Sequence, residues 1–109
     1  MTIWVDADAC PRIIRDILCR ASTRCQVPLV FVANSPIQLP RTRMIRMMQV
    51  EKGFDVADDA IANAVQKNDL VITADIPLAH AVIQKGATAL NPRGFLYTED
   101  NISERLVVR

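Results

Sequence analysis

Aspartates are the residues of this chain whose type and spacing could do chemistry. Asp6 and Asp8 stand two apart at the end of the apolar run Ile3-Trp4-Val5 and are followed by Ala9-Cys10-Pro11. Asp58 and Asp59 are adjacent, and Asp75 follows another apolar run, Leu70-Val71-Ile72-Thr73, with Pro77 just beyond it. An apolar run that stops on a carboxylate, with a proline a few residues on, reads as a buried strand emptying into a helix N-terminus. In open α/β sheets that edge is where ligands bind. Acids gathered there repel one another unless a cation or a bound proton relieves them. A single Asp at such a place needs no more than a helix cap or a solvated turn to explain it. The pair Asp6 and Asp8 acquires chemical meaning when the other acids arrive at the same edge.

Other reactive side chains narrow the field. Cys10, Cys19 and Cys25 are odd in number and show no CxxC spacing, so neither a disulfide framework nor a zinc site is indicated and reduced thiols are expected. A thiol placed like Cys10, just before a helix, can be acidified. A phosphatase-like cysteine would also want an Arg six residues on, and that position holds Asp16. His80, the single histidine, reads as a surface residue. Net charge is +1 but unevenly spread: residues 1–50 carry seven Arg against three Asp, and residues 51–109 six Lys or Arg against nine acids. Such a division suits a polyanion held against a metal site. Arg41, Arg43 and Arg46 gather in a proline-flanked loop that reads as a phosphate-binding lip beside the acid edge. Arg12, Arg20 and Arg24 read as a solvated helix face. Asn34, and Arg93 within Asn91-Pro92-Arg93-Gly94, are further polar groups expected on the same side.

The elements that must position these groups follow from periodicity. A chain of 109 residues, 50% hydrophobic and 23% charged, can bury one core and forms one domain. No apolar run approaches the ~20 residues that span a bilayer, and the N-terminus lacks a signal-peptide pattern, so a cytoplasmic protein is expected. Strands are expected at Thr2–Val5, Pro28–Ala33, Met44–Val50, Leu70–Thr73 and Thr88–Leu90. The helix after Pro11 is expected to bury Ile13, Ile14, Ile17, Leu18, Ala21 and Cys25. A second helix follows Asp58, and a third runs from Pro77 to about Lys85 before Gly86. Asn101 with Glu104 resembles a capping pair opening a last helix.

This alternation implies a parallel sheet of about five strands covered by helices on both faces, with strand one central and the order 3-2-1-4-5. A right-handed crossover brings the N-terminus of the Asp58 helix to the strands' carboxyl edge. Asp58 or Asp59 then joins Asp6, Asp8 and Asp75 at the point where strand order switches. Asp69, at the opposite end of its strand, reads as a turn residue.

Four ordered strings carry a resemblance: Trp-Val-Asp-Ala-Asp-Ala-Cys-Pro (4–11), Gly-Phe-Asp-Val-Ala-Asp (53–58), Asp-Leu-Val-Ile-Thr-Ala-Asp-Ile-Pro-Leu-Ala (69–79) and Ala-Leu-Asn-Pro-Arg-Gly (89–94). They resemble the bacterial YaiI/YqxD family, which is itself similar to PIN-domain nucleases, and the resemblance covers nearly the whole chain. It implies a three-layer PIN-like fold in which Asp6 and Asp75 are metal-binding carboxylates, Asp58 a helix-borne acid and Thr73 a neighbouring hydroxyl. Asp8 and Asn34 extend the cluster. The activity implied is phosphodiester hydrolysis, with RNA favoured, dependent on one or two Mg²⁺ or Mn²⁺ ions. Relatives run some tens of residues past the position of Arg109, which implies a further helix that covers the sheet or completes a homodimer. Two other readings stand beside this one. Asp6-x-Asp8 after a first strand also resembles the nucleophile and acid pair of haloacid-dehalogenase phosphatases, although that family's later lysine and paired acids are not evident. A non-catalytic nucleic-acid-binding or interaction module is the other.

Overall fold

The protein was analysed as a computed structural model, which describes residues 1–53 and 55–107. Apolar runs form the strands β1 (Ile3–Asp6), β2 (Leu29–Ala33), β3 (Ile45–Gln49), β4 (Leu70–Ile72) and β5 (Thr88–Leu90). Between and after them lie the helices α1 (Arg12–Cys25), α2 (Val56–Ala64), α3 (Ile76–Gln84) and α4 (Glu99–Val107). The sheet order is β3-β2-β1-β4-β5 and each pairing is parallel. All carboxyl ends therefore face one edge, as the sequence implies.

Alternation along the strands sends side chains to two cores. Ile3, Val5, Leu29, Phe31, Ala33 and Ile45 face α1 through Ile14, Leu18 and Cys19. Val32, Val71 and Ala89 face the other way, onto Ile61 of α2, Leu78 and Val82 of α3 and Ile102 of α4. Three layers result: one helix, the sheet, and three helices. Among the described residues, no helix is long and apolar enough to cross a membrane.

Two expectations about helices need correction. Ile13 and Ile17 are 73% and 48% exposed, and Cys25 is also exposed, so none belongs to the buried face of α1. The helix instead turns Ile14, Leu18, Cys19 and Ser22 inward, a row at spacings of four, one and three that leaves Ile13 and Ile17 on the flank. The last helix is capped one turn earlier than expected. The Asn101 amide N–H donates to Thr98 Oγ1 at 3.2 Å, and the Thr98 amide donates to Asn101 Oδ1 at 2.9 Å, a reciprocal pair that starts α4 at Glu99 rather than after Asn101.

Candidate metal-binding carboxylate site

The carboxyl edge is assembled from the ends of β1 and β4 and the starts of α2 and α3. Asp6, the last residue of β1, is only 8% exposed. Thr73, wholly buried just past β4, joins two of the acids: its hydroxyl donates to Asp6 Oδ2 at 3.2 Å, and its Oγ1 accepts the Asp75 amide N–H at 3.0 Å. Asp75 caps α3, accepting the Leu78 amide at 2.8 Å on Oδ1, and Pro77 in the first turn needs no such acceptor. The Asp75 carboxyl also shares a hydrogen bond with Asp58. Asp58, in the first turn of α2, completes the approach from the third stretch.

One carboxylate at this edge escaped the sequence reading. Oxygens of Asp55, Asp58 and Asp75 all lie within 4.8 Å of one another. Asp55 precedes α2 in the left-handed region, with φ of 63° and ψ of 7°, a conformation that Asp tolerates better than most residues. The available signal was the spacing of three between Asp55 and Asp58, which puts a helix-preceding residue and one in the first turn on the same side. Asp59, by contrast, is exposed and outside this group, which decides between the two adjacent acids in favour of Asp58.

Electrostatics record how close these acids are. Burial, then the charges of Asp75 and Asp6, a hydrogen bond shared with Asp75 and the charge of Asp55 push Asp58 up to about 7 from the ordinary 3.8. Burial also raises Asp6. The hydrogen bond from Thr73 offsets part of that rise, and the charges of Asp8 and Asp75 add to it. Hard oxygen donors alone make up the group, the set suited to Mg²⁺ or Mn²⁺ and unsuited to soft metals. The crowded acids, Asp58 and Asp75 partly buried and Asp55 exposed, therefore fit such an ion. Two hollows meet at Asp55 and Asp58: one of about 160 Å³ reaching Asp8, Asn34 and Glu51, and one of about 370 Å³ reaching Asp59, Asp75 and Pro77.

Other expected site residues fall elsewhere. Asp8 lies in the short 3-10 turn Ala7–Ala9, exposed, and its Oδ2 accepts the Asn34 amide N–H at 3.3 Å, so it flanks the three-carboxylate group rather than joining it. Asn34 is thus beside Asp8, as expected. Arg93 is exposed in the turn after β5, its amide donating to Asn91 Oδ1 at 2.8 Å. The arginine loop is the clear misplacement. Arg43 and Arg46 line a groove of about 1030 Å³ with Thr2, Trp4, Pro28 and Met44, residues at or next to the starts of β1, β2 and β3. Arg41, exposed two residues before Arg43, precedes the same strand start. Arg43 and Arg46 stand toward the amino edge, across the sheet from the acids, because the segment after β2 must return the chain to the start of a parallel strand.

Asp69 is also more than a turn residue. Buried at the amino edge, it accepts the Thr2 amide at 2.9 Å, the Gln66 amide at 2.9 Å and Trp4 Nε1–H at 3.1 Å. Cys10 is no activated thiol: burial outweighs the nearby Arg15 and pushes it up to about 11. His80 is exposed.

Comparison with known proteins agrees with the four strings. The model of the family described as "Uncharacterized BCR, YaiI/YqxD family" matches residues 4–109. A UPF0178 protein of Alkalilimnicola ehrlichii is 59% identical over 109 residues, covering all of this chain and 74% of the relative. UPF0178 proteins of Klebsiella pneumoniae and Psychromonas ingrahamii are 58% and 57% identical, each covering all of this chain and 72% of the relative. No solved structure matches the chain. On the extent of these matches, the chain belongs to the YaiI/YqxD family.

Proposed function

We propose that this protein is a metal-dependent phosphodiesterase acting on RNA, with Asp55, Asp58, Asp75 and Asp6 as its metal-holding carboxylates. The observation that carries the reading is the convergence of Asp55, Asp58 and Asp75 oxygens within 4.8 Å, against a buried Asp6, at the switch point of a parallel sheet. RNA is the substrate class supported by the similarity of the YaiI/YqxD family, which the acid-bearing strings resemble, to PIN-domain nucleases. Mg²⁺ or Mn²⁺ bound there would lower the pKa of an attacking water and offset charge on the phosphate oxygens.

The chain's own residues prepare the site. Thr73 fixes Asp6 and the backbone of Asp75 with one hydroxyl, so two ligands from different strands share one anchor. Asp75 is further held by the α3 amide it caps. Burial and the neighbouring acids push Asp58 up to about 7, so an ion held there would favour its ionised form. No side-chain nucleophile is required, and Asp8 with Asn34 forms the outer wall of the smaller hollow.

A Mn²⁺ titration by calorimetry, paired with hydrolysis of a single-stranded ribo-oligonucleotide, tests this reading. Asp58→Asn and Asp75→Asn are each expected to weaken Mn²⁺ binding and to lower cleavage by roughly a hundredfold or more. Parent protein that takes up no Mn²⁺ would overturn the proposal. Trapping of a phosphorylated Asp6 would instead establish the aspartyl-phosphate chemistry, and RNA retention without turnover in Mn²⁺ the binding module.

A further inference from the structure

The acids lining the hollows at the acid cluster are Asp8, Glu51, Asp55, Asp58, Asp59 and Asp75, and among the described residues no Lys or Arg lines them. A polyanion lying there needs positive charge alongside, and the arginine loop is at the other edge of the sheet. A pocket lined by two arginines lies on the α1 side. It has a volume of about 290 Å³ and lies between the first turns of α1, which supply Arg12, Arg15 and Asp16, and the segment 37–40, which supplies the Gln38 amide. Two guanidinium groups face one carboxylate, so the pocket is net positive.

Further features distinguish these arginines from ordinary surface charge. Arg15 is half-buried, and its Nε is buried without a hydrogen-bond partner among the described residues, a donor left unsatisfied at a cost. Both arginines also sit in the opening turns of a 14-residue helix that has no acid in its first turn and no side-chain cap. Cations there oppose the helix dipole, and an anion in the pocket offsets that unfavourable placement. The location suits a neighbour of the acid site. The turn carrying Asp8 runs directly into α1, and Cys10 between them feels the charges of both Asp6 and Arg15.

We propose that Arg12, Arg15 and Gln38 form a phosphate-binding subsite on the α1 side of the carboxyl edge. A guanidinium fork matches two phosphate oxygens, and the volume, near the lower limit of roughly 300 Å³ for small-ligand pockets, accommodates one phosphate with its ester substituents. The phosphate itself is inferred from this pocket alone. Its assignment to a strand whose next linkage lies over the acids rests on the hydrolase reading. Arg12 is exposed, as expected of a solvated helix face, and the proposal adds an anion to that face.

The test reads binding in EDTA, so it is independent of any metal. Inorganic phosphate is titrated by ³¹P NMR, and a fluorescent ribo-oligonucleotide by anisotropy at several salt concentrations. Arg12→Ala and Arg15→Gln are each expected to weaken phosphate binding by roughly tenfold, the loss of one charge-assisted hydrogen bond. Each should also reduce the salt slope of RNA binding by about one. Arg20→Ala, farther along α1, should change neither. Because Arg12 is exposed, its variant decides the matter even where Arg15→Gln perturbs folding. Weaker phosphate binding with unchanged RNA binding would uphold the subsite with a free phosphoanion as ligand and overturn the strand assignment. Unaltered phosphate affinity in Arg12→Ala, or an equal loss in Arg20→Ala, would overturn the subsite. Failure of the acids to bind Mn²⁺ leaves these readouts untouched.

Discussion

The two edges of this sheet use the same side chain in opposite ways. At the amino edge Asp69 is surrounded by donors: two backbone amides and an indole N–H, all within 3.1 Å. Burial pushes its carboxyl up, but the hydrogen bonds from Gln66, Thr2 and Trp4 together hold it below the ordinary 3.8. At the carboxyl edge Asp58 is surrounded by acceptors. Burial and the charges of Asp75, Asp6 and Asp55 drive it the other way, to about 7. A carboxylate whose lone pairs all meet N–H groups is finished as a structural element. One whose neighbours are carboxylates is stable only with a proton or a cation, and that difference singles out the candidate edge where cavity size does not, since the larger groove lies at the amino edge.

The largest effect expected is at Asp69. Asp69→Ala leaves the Thr2 and Gln66 amides and the Trp4 indole without their acceptor and should cost about 3 kcal/mol in a denaturant titration, at roughly 1 kcal/mol per bond. A loss below about 1 kcal/mol would erase the contrast between the edges. Next comes metal linkage. Mn²⁺ at 100 times its Kd should stabilise the parent by about 2.7 kcal/mol and Asp75→Asn by far less, read as melting temperature. Asn caps α3 as well as Asp does, so metal-free Asp75→Asn should melt at or above the parent. If it melts well below, with Mn²⁺ shifting both equally, Asp75 is only a structural cap.

The two edges should also differ in the sign of their pH dependence. A raised folded pKa means the native state binds the proton more tightly, so the stability tied to Asp58 is fully present below 3.8 and is lost as pH rises through about 7. Asp69 is depressed, so its contribution is present above 3.8 and lost as pH falls below it. Metal-free protein should therefore lose stability between about pH 4 and pH 7, and Asp58→Asn or saturating Mn²⁺ should flatten that slope. A parent curve already flat over this range would contradict the crowding of the acids. The smallest effect sharpens the choice between neighbours: Asp59→Asn, which removes an exposed acid near the positive end of α2, should cost about 0.5 kcal/mol and leave the Mn²⁺ shift intact.

Much of the candidate site was legible because its markers are local. Asp6 and Asp75 could be placed at strand ends from apolar runs alone, and crossover handedness carried Asp58 to them. Asp55 was missed because its participation depends on a left-handed backbone that presents it beside Asp58. Spacing could not show the 3-10 turn that brings Asp8 to the Asn34 amide, beside the three-carboxylate group. Asp69 passed as a turn residue because two of its three donors, Thr2 and Trp4, are more than sixty positions away in the chain.

By itself, then, the sequence determined the strands, their parallel order and the edge at which the acids meet, since a period of two, a helical stripe and a right-handed crossover are properties of short stretches and of chirality. Tertiary structure alone decided how α1 is rotated about its axis, exposing Ile13 and Ile17, and where the chain after β2 travels, carrying Arg43 and Arg46 to the amino edge, away from the acids. A helix offers several apolar rows of similar quality, and a loop has no periodicity at all. Which row is buried and which edge a loop reaches are settled only when the layers pack against one another.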